Sequence, residues 1–296
     1  MNGSLTIVGL GEALFDIFGR DQRLGGAPLN AAVHAHALGQ HHGVAGAVVS
    51  RLGDDPLGHQ ARQALADRGM PTDFLQFDPD MATGRVYVTT QGGEPSYEIV
   101  ENVAWDHLQW DPDLEDLSRR CDALVFGSLA QRDAQSRSTI QRFVESARHA
   151  FKLFDVNLRQ DYYDRNVLRR GLEIADAVKL NQDEFGMLDD LFGLADPADL
   201  LGKFELSTVA LTRGAEGTRL ITPGGQVDGA KAPFNPAPDA DAVGAGDSVA
   251  ASILVGRCLR MDDQAIADAA NAVGAFVAGQ PGATPTLPDE LVARFA

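Results

Sequence analysis

Six short apolar runs, 6–10, 44–49, 124–126, 152–156, 177–180 and 208–211, constrain this chain more than anything else in it. A strand with one wet face alternates apolar and polar residues. A run that is apolar almost throughout is covered on both faces. Between the runs lie helical patterns at 29–38, closed by Gly39, at 56–67, closed by Gly69, and at 138–149 and 167–175. The second opens on Asp54-Asp55 and Pro56, an acidic cap followed by a proline whose missing N–H costs nothing in the first turn. This alternation predicts a three-layer α/β/α fold around a mostly parallel sheet.

Two stretches break the pattern. Segments 84–91 and 94–101 alternate around Gly92-Gly93, which reads as a β-hairpin; 15–24, with Asp21-Gln22 in the turn, reads as a second. Such hairpins form either an antiparallel edge of the main sheet or a lid. The expected organisation is one domain over 1–296 with lid segments at 12–24 and 84–101, and a homodimer paired through the lid. No Pro-rich, Gly/Ser-rich or single-charge tract divides the chain.

Composition removes several function classes. A net charge of −17 leaves no basic surface for a nucleic-acid backbone. No apolar run approaches the ~20 residues that span a bilayer, and Met1–Val8 lacks a signal-peptide pattern, so a cytoplasmic location is expected. Cys121 and Cys258 are distant and lack metal-ligand spacing, and the seven histidines are scattered.

The densest chemistry lies in Asp241-Ala242-Val243-Gly244-Ala245-Gly246-Asp247, ahead of a helical run at 248–259. Glycines before a helix let backbone N–H groups converge, and with the helix dipole they suit anionic oxygens. An acid on the first turn then stands where it can take a proton from a hydroxyl during phosphoryl transfer. The same residues also describe a plain capped helix with Asp247 as a dipole partner.

This stretch resembles the C-terminal signature of the ribokinase-like (PfkB) carbohydrate kinases, and four further motifs follow the family's order. They are Gly9-Leu10-Gly11-Glu12 leading to Asp16 and Gly25-Gly26-Ala27-Pro28-Leu29-Asn30; Asp155-Val156-Asn157-Leu158-Arg159; Lys179-Leu180-Asn181-Gln182-Asp183-Glu184; and Thr212-Arg213-Gly214-Ala215-Glu216-Gly217. The tail, 271–288, is similar to the family's nucleotide and cation region. The resemblance implies an ATP-dependent sugar kinase with Asp247 as general base and Gly244, Ala245 and Gly246 as the anion hole. Asp16, Gly25, Gly26, Asn30 and Arg159 are implied to grip the sugar, with Arg159 also toward the triphosphate. Asn181, Thr212, Arg213, Gly214, Gly217 and Asn271 are implied on the ATP side. Asn181 and Glu184 are implied to meet Mg²⁺ through water, although a capping box explains that spacing equally well. K⁺ is implied beside Asp241, Val243, Val277, Gln280, Gly282 and Thr286.

Within the family, Ala104-Trp105-Asp106, Phe126–Arg132 and Asp155–Gln160 look most like bacterial fructokinases, which implies D-fructose phosphorylated at O6. The alternatives are ribose, 2-keto-3-deoxygluconate, for whose carboxylate Arg85 is the nearby cation, and a nucleoside, for which Phe15, Phe18 or Tyr97 would form a slot. Outside this class stand a non-catalytic sugar sensor and a dinucleotide enzyme. The latter is discounted because Leu14 stands where Gly9-x-Gly11 needs a third small residue.

Overall fold

The computed structural model describes residues 5–91 and 94–295, so the Gly92-Gly93 turn lies outside the described residues. The chain begins with β1 (Leu5–Leu10), β2 (Leu14–Phe18), β3 (Asp21–Gly25), α1 (Ala27–Gly39), β4 (Val44–Gly53), α2 (Pro56–Ala66) and β5 (Leu75–Asp78). It continues through β6 (Gly84–Gln91), β7 (Glu94–Ile99), α3 (Pro112–Arg120), β8 (Ala123–Gly127), α4 (Ala134–Ser146), β9 (Phe151–Asp155) and α5 (Arg165–Ile174). Next come β10 (Ala177–Asn181), α6 (Gln182–Phe192), α7 (Asp199–Phe204), β11 (Thr208–Thr212), β12 (Thr218–Thr222) and β13 (Gly225–Asp228). The last helices are α8 (Ala245–Cys258), α9 (Asp263–Ala278) and α10 (Asp289–Val292).

All six predicted runs lie in one nine-stranded sheet of order β13-β12-β11-β10-β9-β8-β1-β4-β5, parallel except at β11–β12 and β12–β13. Their continuous apolarity has the expected cause. Val8, Leu124, Phe126 and Phe154 face a core built with Leu117 of α3, Phe143 of α4 and Leu172 of α5. Their neighbours Ile7, Val125 and Leu153 face the opposite core, built with Ala35 of α1, Leu254 of α8 and Val273 of α9. Among the described residues, no helix is long and apolar enough to cross a membrane.

The two hairpins join as a separate four-stranded sheet, β3-β2-β6-β7, with β2 and β6 parallel. They are therefore no edge of the main sheet. The first turn differs from the sequence expectation. Phe18 pairs with Asp21 and Ile17 with Gln22, so Gly19-Arg20 make the turn and Asp21-Gln22 are strand residues. Gly19, at φ +61°, supplies the left-handed backbone of a two-residue hairpin loop. The third predicted helix also shifts: α4 starts at Ala134 because the Asp133 side chain accepts from the Gln135 amide at 2.8 Å and caps it there.

Candidate active site

The parallel strands deliver their C-terminal ends to one rim, where an α/β sheet commonly places its ligand crevice. A cavity of about 1200 Å³ opens there, bounded by that rim, the second sheet and the start of α8. Gly244 caps α8 at φ +80°, and a Cβ on it would come within 2.1 Å of the Ala283 carbonyl oxygen. Only glycine fits that position. The start of α8 therefore faces the cavity, with the Ala245 amide donating to the Ala242 carbonyl at 3.4 Å and Asp247 on the first turn.

Asp247 is half-buried, and its Oδ2 accepts from Asn30 Nδ2 at 2.8 Å, so α1 and α8 together aim the carboxylate. Burial, reinforced by the charge of Asp155, pushes its pKa up to about 6; Lys179, the Asn30 hydrogen bond and Arg159 pull the other way. Beneath it, Lys179 Nζ donates to both Asp155 oxygens at 2.8 and 2.9 Å, across neighbouring residues of β9 and β10. Burial alone would lower Lys179, but Asp155, Glu184 and Asp247 outweigh it and hold it charged above its usual value. Its ammonium lies 3.2 Å from where a Cβ on Gly246 would stand, which puts a fixed positive charge beside the helix start.

The acceptor side of the cavity is acidic. Asp16 lies within β2 of the second sheet, and burial pushes it up to about 6 against the pull of Arg159. Glu12 is 3% exposed, and burial, with Asp247 adding to it, pushes it up to about 7. Gly26 also lines this side at φ +115°, where a Cβ would meet the Glu12 carbonyl oxygen at 2.3 Å. Arg159 lines the cavity and opposes the rise of Glu12, Asp16 and Asp247, so it faces the acids of the acceptor side. Its loop carries Asn157 at φ +36° and Gln160 at φ +47°, a left-handed backbone that non-glycine residues adopt at a cost of roughly 1–3 kcal/mol each. Gln160 Nε2 donates to the Tyr97 carbonyl at 2.7 Å, tying this loop to β7.

The opposite side departs from the sequence expectations. Asn181 and Thr212 line the cavity, but Arg213, Gly214, Gly217 and Asn271 do not. Asn271 is engaged by the backbone: its Oδ1 accepts from the Thr218 amide at 2.7 Å and its Nδ2 donates to the Ala230 carbonyl at 3.1 Å. Gly217 lies against that amide, with a Cβ position 2.4 Å from Nδ2. Arg213 turns to Asp228 at 2.6 Å, away from the cavity. Gly25 is likewise off the lining, its Cβ position 3.0 Å from Asp16 Oδ2, and Ala245 lies in the helix behind Gly244.

Asn181 and Glu184 form a capping box: Asn181 Oδ1 accepts from the Glu184 amide at 2.9 Å, and Glu184 Oε2 accepts from the Asn181 amide at 2.8 Å. Glu184 Oε1 takes the Leu158 amide at 3.0 Å. Among the described residues no three His, Cys, Asp or Glu gather as a metal site. Around Asp241, the Asp241 amide donates to the Gln280 carbonyl and the Gly282 amide to Asp241 Oδ2, each at 3.2 Å. Val277 joins them through its carbonyl, which accepts from the Gln280 amide at 3.0 Å, and Val243 through its amide, which donates to Asp241 Oδ1 at 3.2 Å. Among the described residues, no hydrogen bond joins Thr286 to this group.

Glu12, Asp155 and Lys179 are the site residues to which sequence reasoning gave no role. Lys179 had a signal, a lysine inside a run otherwise apolar, Ala177-Val178-Lys179-Leu180, which only a buried partner makes tolerable.

The chain is similar to known proteins over almost its whole length. The chain is 31% identical to a fructokinase of Escherichia coli over 94% of its length and 95% of that protein's. It is 29% identical to an aminoimidazole riboside kinase of Salmonella typhimurium, covering 94% and 91%. The structure matches an uncharacterised sugar kinase from Pyrococcus horikoshii in complex with ATP at a TM-score of 0.80 and 25% identity, over 99% and 100% of the two chains. It matches a fructokinase double mutant from Vibrio cholerae with fructose, ADP and potassium at a TM-score of 0.79 and 25% identity, over the whole of both chains. The pfkB family carbohydrate kinase model covers residues 16–290. With that model spanning nearly all of it, the chain belongs to the pfkB family of carbohydrate kinases and is a phosphotransferase acting on a sugar hydroxyl.

Proposed function

We propose that this protein transfers the γ-phosphoryl group of ATP to O6 of D-fructose, with Asp247 as the general base. The observation that carries the mechanism is Asp247 itself, aimed by Asn30 at the start of α8 and held near an ordinary working pH. The hydroxyl oxygen bonds to phosphorus, the bond to the bridging oxygen breaks, and the proton passes to Asp247. The amides behind Gly244 and the Lys179 ammonium stabilise the charge on the transferring group. When bound, Mg²⁺ supplies neutralisation of the triphosphate, and Asn181 and Glu184 would hold it through its waters. The paired loops around Asp241, Val243, Val277, Gln280, Gly282 and Thr286 would hold K⁺ largely by carbonyls, ordering the anion hole.

Two observations favour a neutral sugar. The acceptor side carries Glu12, Asp16 and Asp247, which repel a sugar acid. Arg85, the cation the sequence offered for a deoxygluconate carboxylate, does not line the cavity and lies 3.9 Å from Asp55. Fructose over ribose rests on the similarity to fructokinases. A riboside is the second reading, favoured by Phe18 and Tyr97, 37% and 52% exposed on the cavity wall; Phe15 is fully buried and takes no part. The second sheet is proposed to act as the lid that keeps water from the phosphoryl group.

An ADP-release assay over fructose, ribose, 2-keto-3-deoxygluconate and nucleosides, in K⁺ and in a large organic cation, tests this reading. Fructose should give the highest kcat/KM, K⁺ should raise it, and release without sugar should be small. A higher kcat/KM for a riboside would move the assignment to the second reading.

A further inference from the structure

We propose that Glu12 is a specificity-determining residue of the acceptor site, where its carboxylate and the Asn30 carbonyl oxygen take two hydroxyl protons from a vicinal diol of a neutral sugar. The inference rests on the proposed function, since Asp247 marks the acceptor side. Glu12 follows β1, lines the cavity and is 3% exposed. One of its oxygens, Oε1, accepts from the Ala27 amide at 3.2 Å at the start of α1. The other, Oε2, is buried and has no hydrogen-bond partner among the described residues. Asn30, on the same turn of α1, is also 3% exposed and lines the cavity. Its Nδ2 donates to Asp247, while its Oδ1 is buried and without a partner.

Buried polar atoms without partners are rare, and each one needs a cause. Here two occur on cavity residues, one of them bonded to the proposed base. Asn30 Oδ1 is an acceptor, and Glu12 Oε2 accepts when its carboxyl is ionised and donates when it is protonated, so a neutral group that can do both suits the pair. Hydroxyls on adjacent carbons of a sugar do that. A ligand carboxylate would bring a third acceptor toward Glu12, Asp16 and Asp247. A hydroxyl bound at Asn30 Oδ1 would fix one end of an amide whose other end orients Asp247. Glu12 therefore contributes to sugar binding, whereas Asn30 contributes to binding and to turnover.

The competing explanation is that Glu12 only ties the turn after β1 to α1 through the Ala27 amide. Glu12→Gln separates the two, because it keeps the length and the Oε1 acceptor but places an NH₂ group where hydroxyl protons would arrive. The probes are D-fructose and D-ribose with their single-deoxy analogues, and the assay is ADP release with ATP and sugar varied separately. E12Q should raise the sugar KM roughly 10- to 100-fold, change kcat less than about threefold and leave the ATP KM alone. One deoxy analogue, penalised in the wild type, should lose its penalty in E12Q. If E12Q melts, Glu12→Asp, which withdraws the same acceptor by one methylene, carries the same comparison. An unchanged sugar KM with every deoxy penalty intact, in a wild type that turns over sugar, would overturn the Glu12 assignment alone. A wild type that phosphorylates neither sugar nor any analogue would overturn the proposed function and Glu12 with it.

Discussion

On the acceptor side of the cavity, Glu12, Asp16, Asn30 and Asp247 reach inward with hydrogen-bonding capacity to spare, and three of them are acids held above their usual range. On the opposite side Glu184 is already engaged by backbone amides, and behind it, off the lining, Asn271 is held by backbone and Arg213 by Asp228. The first arrangement reads a ligand with side chains. The second builds a rigid wall and leaves the gripping to backbone, at the glycines and helix starts. Substitutions on the acceptor side should therefore change chemistry, and those on the other side should change stability.

The largest expected effect is on the acceptor side. Asp247→Asn keeps the shape and an oxygen that can accept from Asn30 but cannot take a proton, so kcat should fall ~10²–10⁴-fold while the protein folds and binds ATP. Wild-type kcat should also decline on the acid side with an apparent pKa of about 6, that of Asp247, and that limb should vanish from the residual activity of the mutant. Stability should move the other way. These acids have folded values raised above the unfolded ones, so the folded chain keeps its protons to higher pH. Their contribution is complete below the unfolded value of about 4 and is lost as pH rises through about 6 to 7. Thermal melts should show wild type losing more between pH 5 and pH 8 than D247N. A D247N enzyme with near-normal kcat would reduce Asp247 to a dipole partner of its helix.

The same contrast explains what the sequence could tell. The main strands were legible because being covered on both faces removes polar side chains from runs such as 44–49 and 124–126, a signal that survives in one dimension. Gly244 and Asp247 were legible because a left-handed cap and a first-turn acid leave characteristic residues. The joining of two hairpins into one sheet was not, since β2 pairs with β6 across some seventy residues and neither strand records its partner. Asn271 misled for a related reason. A polar residue on a helix looks the same whether its amide meets a ligand or, as here, the Thr218 and Ala230 backbone. Glu12 stood within a recognised motif, yet only the burial of its second oxygen distinguishes it from a turn residue.

Asn271→Ala should give an intermediate effect of the opposite kind. It strips partners from the buried Thr218 amide and the Ala230 carbonyl and leaves a gap beside Gly217. A loss of about 2–4 kcal/mol in chemical denaturation is expected, with the ATP KM within about threefold of wild type under conditions where the mutant is folded. A large rise in ATP KM without a loss of stability would mean that the amide serves the ligand.

The smallest effect is expected at Arg213, where the contrast between the two sides is easiest to break. The family resemblance puts this residue on the phosphate side, but its guanidinium bonds Asp228 at 2.6 Å, and Asp228 is also held by Arg219 through two bonds of 2.8 Å. Asp228 is half-exposed, so solvent screens the pair, and Arg219 keeps the carboxylate satisfied after Arg213 is removed. Arg213→Ala should therefore cost no more than about 1 kcal/mol of stability. The loop itself should survive, because the Arg213 amide donates to the Gly217 carbonyl at 3.0 Å whatever the side chain. If the arginine belongs to the wall, the ATP KM should move less than about twofold and its salt dependence should not change. A tenfold rise in ATP KM that shrinks as salt is added would show that the guanidinium leaves Asp228 for a phosphate, and the wall would then read its ligand with a side chain after all.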